Sequence, residues 1–437
     1  MLRTEVASAM VGVHTGEVLN VVGPRRALTA RDTQEHPSSE PAQMGTPANA
    51  SGVDKLLGVE LLRLVCALAV LIFHYPHLAF GALRPAASFV AAQQPFYFAL
   101  RPFYQFGFYG VEVFWCISGF IFFWKYGQAI SRRTVGGYKF FVLRFSRLYP
   151  LHLVTLLFVA AMQLIYRHQF HSYFVYRDND LPHFFLQLFM ASNWLIPSQV
   201  ESFNGPIWSI SVEVLVYALF FLTLRYLSAS WVMCALMAAL GALVAGLKLS
   251  TLSFFFCVIY FYVGCLTAIV YARAKDSART RAWVSSGAAL AVVGVLVAAR
   301  FTNIHASYVL LVGAPALILL CTIHLQGRRR TSSLLVAAGS MTYSSDLLHL
   351  PSQITIVTIL SLLGVIPPIY SPIFFLAFIL GTLTLSYWCY GLFEMPAQNW
   401  LRRKLKGREA VGTARGAAPA TEVLPPEEVP IRSAGQR

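Results

Sequence analysis

The sequence predicts an all-α integral membrane protein: a bundle of about ten transmembrane helices between disordered polar tails. Three observations carry that expectation. Of the 437 residues, 57% are hydrophobic and 12% charged, with mean hydropathy +0.60, whereas a soluble domain carries about 25% charged residues. Ten apolar runs follow one another, most of them long enough to cross about 30 Å of hydrocarbon. The basic residues gather in alternate connections between those runs, the pattern of the positive-inside rule.

The runs lie near 56–80, 106–125, 149–166, 207–227, 231–247, 251–271, 282–299, 306–325, 341–364 and 371–393. Residues 1–52 are rich in Ala, Ser, Thr, Pro and Gly and mix both charges. A disordered tail is expected there, with no apolar core of a secretory signal. The membrane domain is expected over 53–403 and a second tail over 404–437. The connections 125–148, 272–281 and 326–333 and the segment after the last run hold the clusters of Lys and Arg. All four fall on one side of a ten-helix count, which places both termini in the cytoplasm and the chain in the inner (plasma) membrane. The net charge of +15 is thereby accounted for, and no nucleic-acid partner is expected. Seven cysteines lie within apolar runs without metal-type spacing; they read as small buried hydrophobes, and no metal is expected.

The first run, LLGVELLRLVCALAVLIFHYPHLAF, places Arg63 and His74 eleven residues apart. At about 100° per residue both fall on one face, roughly 16 Å apart along the axis. Either they form two polar layers on one wall of a cavity, or Arg63 snorkels to the headgroups and His74 meets the opposite interface. The second run, FGFYGVEVFWCISGFIFFWKY, puts Glu112 near its outer end and Gly119 at mid-membrane, where glycine lets a helix or ligand come close. Before the third run, YKFFVLRFSRLYP sets Arg144 and Arg147 at i and i+3, on one face. Two arginines so placed either clamp phosphates bidentately or anchor the cytoplasmic side.

The 167–206 connection is the longest external one. Its stretch LPHFFLQLFMASNWLIP (181–197) is too interrupted to span and is expected in the interface or dipping over a cavity. The fourth run opens FNGPIWSISVEVLVY, with Ser209 and Glu213 at i and i+4. Glu213 lies about two turns inside, where an unpaired carboxylate costs several kcal/mol. His74 is expected at similar depth, and a carboxylate that orients an imidazole suits it to act as a general base. A purely structural buried pair is the alternative. The LLVAAGS part of the 326–341 segment is expected to be interfacial. The ninth run, GSMTYSSDLLHLPSQ, lines Thr342, Asp346 and His349 along one face, and Pro351 frees a carbonyl near Leu347. The tenth ends YWCYGLFEMPAQNW, with Glu394 near the inner boundary.

Taken in order, Arg63 and His74, YGVEVFWCISGF, RFSRLYP, WSISVE, GSMTYSSDLLH and FEMP resemble the acyltransferase-3 family of polytopic membrane O-acyltransferases over roughly residues 54–400. Where that family commonly shows aspartate after Gly-Val, this chain has Glu112, one methylene longer. Where it often has tyrosine before the Leu-x-His of the ninth helix, this chain has Asp346, a carboxylate near His349. The resemblance implies transfer of an acyl group, most often acetyl, from cytoplasmic acyl-CoA to a hydroxyl of a glycan or glycolipid acceptor: a surface polysaccharide, a lipopolysaccharide or a secreted oligosaccharide.

A mechanism consistent with residues and resemblance assigns Arg144, Arg147 and Arg63 to the phosphates and carbonyl end of acyl-CoA. His74, oriented by Glu213 or Glu112, is the base or a transient acyl carrier. Trp208 and Ser209, together with Tyr343, Asp346 and His349, are candidates for the acceptor site, Trp208 and the 181–197 aromatics stacking on a sugar ring. The competing class is a proton-coupled transporter or exporter of a small polar or glycan substrate, since intramembrane His, Glu and Asp also build proton relays.

Overall fold

The computed structural model describes residues 56–81, 84–85, 89–194, 201–250, 252–302, 304–325 and 329–416. The expected tail 1–52 and residues 417–437 lie outside the described residues. The helices, in chain order, are α1 (Leu57–His74), α2 (Tyr97–Phe106), α3 (Gly110–Ser131), α4 (Gly137–Phe170), α5 (Leu181–Leu188), α6 (Ile207–Tyr226), α7 (Trp231–Gly246), α8 (Ser253–Asp276), α9 (Ala278–Phe301), α10 (Ala306–His324), α11 (Arg329–Ser340), α12 (Thr342–Leu362), α13 (Pro372–Cys389) and α14 (Met395–Gly416). A π-helical stretch, Tyr390–Glu394, joins the last two. A two-residue antiparallel ladder pairs Phe80–Gly81 with Arg84–Pro85. The protein is an all-α membrane bundle.

Each of the ten apolar runs falls on a helix, and among the described residues eight helical segments are long and apolar enough to cross a membrane. The other two fall short for different reasons. α7 has only 16 residues, and the first half of α12 is polar, carrying Tyr343 to His349. The boundary expected at residue 404 falls inside α14, which continues to Gly416.

The segment expected as the 125–148 loop is mostly helical. α3 runs on to Ser131, and α4 begins at Gly137 and continues for 34 residues. At 1.5 Å per residue that is about 51 Å, well beyond the hydrocarbon thickness. Charge ended the apolar run at Leu148, but nothing between Tyr138 and Leu148 stops a helix. Arg144 and Arg147 therefore stand on a rigid helix continuous with the bundle.

α3 sits at the centre, against α1, α6, α8 and α10. Its closest partner is α8. A Cβ on Gly119 would lie 1.8 Å from the Phe261 carbonyl oxygen, and one on Gly264 would lie 2.0 Å from that of Cys116. Small residues at facing positions thus let the two backbones touch, the packing that holds helices together where lipid removes the hydrophobic drive. α9 is peripheral: Trp283, Leu290 and Phe301 are more than 70% exposed, an apolar face suited to acyl chains.

Pro351 removes a helical donor and frees the Leu347 carbonyl. Asn204 Nδ2 donates to that oxygen at 3.1 Å and also to Thr155 Oγ1 at 3.1 Å. One amide from the FNGP turn therefore ties α12 to α4 just before α6 begins. All seven cysteines are free, five of them buried.

Candidate functional site

A cavity of about 430 Å³ opens among α1, α3, α4, α6 and α12, and Arg63, Lys125, Arg144 and Arg147 line it together. Ligand pockets commonly occupy about 300–1,000 Å³. Arg63 uses two of its N–H groups on protein: Nη1 donates to Glu60 Oε2 at 3.0 Å and Nη2 to Thr342 Oγ1 at 3.0 Å. Arg144 Nη2 donates to the Tyr126 hydroxyl at 2.8 Å, and its guanidinium lies 4.5 Å from the Phe122 ring centroid. Its Nε is buried without a hydrogen-bond partner. Arg147 has no hydrogen bond or ion pair among the described residues. Guanidinium N–H groups held in place yet left unused suit the oxygens of an anion.

Glu213 and Ser209 line the same cavity from α6. Glu213 sits beside the Ser118 and Tyr217 hydroxyls, with Arg144 and Arg63 its nearest cations, and its Oε1 is buried without a partner. Ser209 Oγ donates to the Pro206 carbonyl at 3.2 Å. From α12, Tyr343 lines the cavity while its hydroxyl donates to the Leu148 carbonyl. Asp346, one turn beyond Thr342, also lines it. Glu394 stays outside: it accepts from Ser344 Oγ at 2.6 Å and forms no ion pair among the described residues.

His74 is not beside a carboxylate. Its ring neighbours are His77 and His349, with centroids 5.0 and 4.9 Å away, and no ion pair among the described residues joins it to Glu213 or Glu112. The expected pairing failed on depth: Glu213 belongs to the cationic layer around Arg63, and His74 stands at the far end of α1. A backbone oxygen does the orienting instead. His74 Nδ1 lies 2.9 Å from the Val70 carbonyl. That oxygen can only accept, so Nδ1 carries the hydrogen, and in the neutral ring the lone pair is on Nε2. His349 repeats the arrangement, with Nδ1 3.3 Å from the Ser345 carbonyl and Nε2 buried and unpartnered. His74 itself lines neither cavity, but Val70 lines the basic one.

A second cavity, about 600 Å³, is walled by aromatic rings. Trp208 stacks on Phe108 at 5.9 Å and meets Trp115 edge-on at 5.8 Å. Glu112 opens into this space, 7% exposed, with Oε1 accepting from Ser307 Oγ at 3.0 Å. Val111 and Trp115 line both cavities, so α3 forms their common wall. Phe73, adjacent to His74, packs against Phe108 at 6.0 Å. His74 therefore lies next to the wall where the two spaces adjoin.

Residues 56–391 match the family model described as an acyltransferase domain, Acyl_transf_3. The chain belongs to the acyltransferase-3 family. Acyltransferase MdmB from Streptomyces mycarofaciens is 31% identical over 147 residues, 32% of this chain and 36% of that protein. The chain thus aligns with about a third of that curated relative's length. No solved structure matches the chain.

In this acyltransferase-3 chain the motif residues separate by cavity. Arg63, Arg144, Arg147, Ser209, Glu213, Tyr343 and Asp346 share the basic cavity; Trp208 and Glu112 face the aromatic one; His74 and His349 pair near the partition. The sequence reading passed over Lys125, Glu60, Tyr217 and His77. Lys125 carried a signal, a lysine at the end of an aromatic helix; the other three looked like ordinary helix residues.

Proposed function

We propose that the protein is a membrane O-acyltransferase that takes an acyl group, acetyl in the simplest case, from cytoplasmic acyl-CoA and passes it to an acceptor hydroxyl. The observation that supports this reading is the convergence of Arg63, Lys125, Arg144 and Arg147, from three helices, on one cavity. A cationic side chain at the bilayer centre costs roughly 2.5–3.5 kcal/mol even on insertion scales, so four of them round one cavity argue for an anionic occupant. On this reading the basic cavity faces the cytoplasm, both termini lie there, and the guanidinium groups hold the CoA phosphates.

The pantetheine arm then bridges the roughly 16 Å that α1 sets between Arg63 and His74. His74 Nε2 takes the proton of the acceptor hydroxyl, whose oxygen attacks the thioester carbonyl. A C–O bond forms, the C–S bond breaks and CoA leaves as the thiol. The tautomer fixed by Val70 leaves Nε2 as the atom that acts as the base. The acceptor occupies the aromatic cavity, where the faces of Trp208 and Phe108 suit a sugar ring, so the acceptor class proposed is a carbohydrate-containing glycan or glycolipid.

The test is an acyl-transfer assay on the full chain in membranes with radiolabelled acetyl-CoA, followed by mass spectrometry of envelope and secreted glycans with and without the protein. Label in an O-linked ester that disappears with Arg144→Lys supports the reading. Tight acetyl-CoA binding without any transfer to envelope or secreted material overturns it.

A further inference from the structure

Carboxylates line both cavities, but Lys and Arg line only the basic one among the described residues. The aromatic cavity carries two carboxylates, Glu112 and Glu201, and no Lys or Arg among its described lining residues. Both ring nitrogens of His305 face protein groups: Nδ1 accepts the Ser307 backbone N–H at 3.4 Å, and Nε2 faces the Tyr109 hydroxyl at 3.3 Å.

Two oxygens in this cavity lack donors. Glu112 Oε2 is buried with no hydrogen-bond partner. The nearby Tyr260 hydroxyl cannot serve it, because a phenol has one hydrogen and that one goes to the Ser307 carbonyl at 2.6 Å. Asn193 Oδ1, on a residue 6% exposed, is likewise unpartnered. A buried acceptor without a donor is unfavourable, and both residues line a space with room for a ligand. Glu112 also stands in the first turn of α3, where the helix dipole favours a negative charge. The missing donors and the missing positive charge are supplied together by an ammonium group, and the aromatic walls stabilise a cation as well.

We propose that the acceptor carries a protonated amine, as an amino sugar does, and that Glu112 is its counter-ion and a specificity-determining residue. This rests on reading the aromatic cavity as the acceptor site. It has a chemical consequence. An amine held as ammonium against Glu112 has no lone pair to attack a thioester, so acyl transfer goes to the hydroxyl oxygen, whose proton His74 removes. The amine keeps its proton throughout and the thiol leaves as before.

The test is ligand-observed NMR titration of the full chain in nanodiscs at neutral pH with three probes: methyl glucosaminide, its N-acetyl derivative and methyl glucoside. The free amine is expected to bind at least tenfold more tightly than either neutral sugar. Glu112→Gln keeps an oxygen for Ser307 but loses the charge, and it should bring the three affinities together; Glu112→Asp should restore part of the preference. Equal binding of the three probes by the wild-type protein overturns the proposal, as does a preference that survives Glu112→Gln. Transfer is measured separately. Esterification of neutral and amino sugars at equal rates sinks the amine proposal and leaves the acyltransferase reading standing. Amine-selective binding with no transfer to any sugar sinks the acyltransferase reading and leaves the binding proposal standing.

Discussion

The basic and aromatic cavities share a wall and differ in almost everything else. The basic one presents guanidinium groups with unused N–H donors; the aromatic one presents carbonyl and carboxylate oxygens with no donors. The basic cavity also holds the carboxylates Glu60, Glu213 and Asp346, with Glu213 Oε1 unpartnered, whereas the aromatic one has no Lys or Arg among its described lining residues. Lone buried charges are costly in a membrane, so a bundle that confines its lining Lys and Arg to one of two adjoining cavities suits two different ligands meeting at one partition. His74 stands beside that partition, with Val70 on the basic side and Phe73 against Phe108 on the aromatic side. A transporter built on one alternating-access site has no comparable reason to confine its cations to one side of a helix.

The largest expected effect is at the partition itself. His74→Gln and His74→Ala should lower transfer by about 100- to 10,000-fold, the usual cost of losing a general base. Acyl-CoA binding should stay intact, because His74 lines neither cavity. A His74→Gln enzyme within about threefold of wild type removes the ring from the chemistry. His349→Gln tests the neighbouring ring; it leaves the His74 tautomer fixed by Val70 and should cost less than His74→Gln in the same assay.

The next effect belongs to the basic side alone. Arg144→Lys and Arg147→Lys should each weaken acyl-CoA binding roughly ten- to a hundredfold, since a hydrogen bond to a charged group contributes about 1.5–3 kcal/mol and an ammonium cannot replace the planar fork. Binding of a neutral sugar on the aromatic side should not change. Equal weakening of both ligands shows that the cavities are not independent. The wall can be tested too. Gly119→Ala puts a methyl group 1.8 Å from the Phe261 oxygen, and forcing extra methylenes into packed cores costs about 1–3 kcal/mol. Thermal unfolding in detergent should drop, and both ligands should bind more weakly, because α3 borders both cavities.

How far the sequence foretold this differs between the two sides. Membrane insertion, the ten helical runs and the shared face of Arg63 and His74 were legible because hydropathy and the 3.6-residue period act locally. So was the Leu347 carbonyl freed by Pro351, though not that Asn204, 143 residues earlier, would satisfy it. The arginine pair was legible as a pair, but its helix was taken for a loop, because charge density hid a segment with nothing in it to stop a helix. The aromatic cavity was hardly legible beyond Trp208. Its carboxylates come from segments 89 residues apart, Glu112 and Glu201, and neither shows in sequence that a donor is missing. The clearest misreading concerned His74, whose orienting group was sought among carboxylates. The group is the Val70 carbonyl four residues back, a kind of partner that every helical residue has and that no motif marks.

That misreading yields the smallest and most discriminating prediction. If Glu213 oriented His74, Glu213→Gln would shift the pH–rate profile, because the imidazole would lose a charged neighbour. Here Glu213 lies with Ser118 and Tyr217 among the arginines, and the His74 ring is oriented by a backbone oxygen that no side-chain substitution removes. Glu213→Gln should therefore leave the acidic limb of the profile within about 0.3 pH units of wild type, far less than the roughly one unit that loss of an adjacent opposite charge produces. Its effect should fall instead on the donor. The substitution removes a negative charge beside Arg144 and Arg63, so acyl-CoA affinity should hold or rise by a few-fold while the rate at saturating donor stays within about tenfold of wild type. The measurement is transfer by the purified variant across pH at several acyl-CoA concentrations. A shift of a full unit with donor affinity unchanged would return Glu213 to the side of His74, and the separation of the two cavities would then have to be redrawn around a carboxylate that serves both.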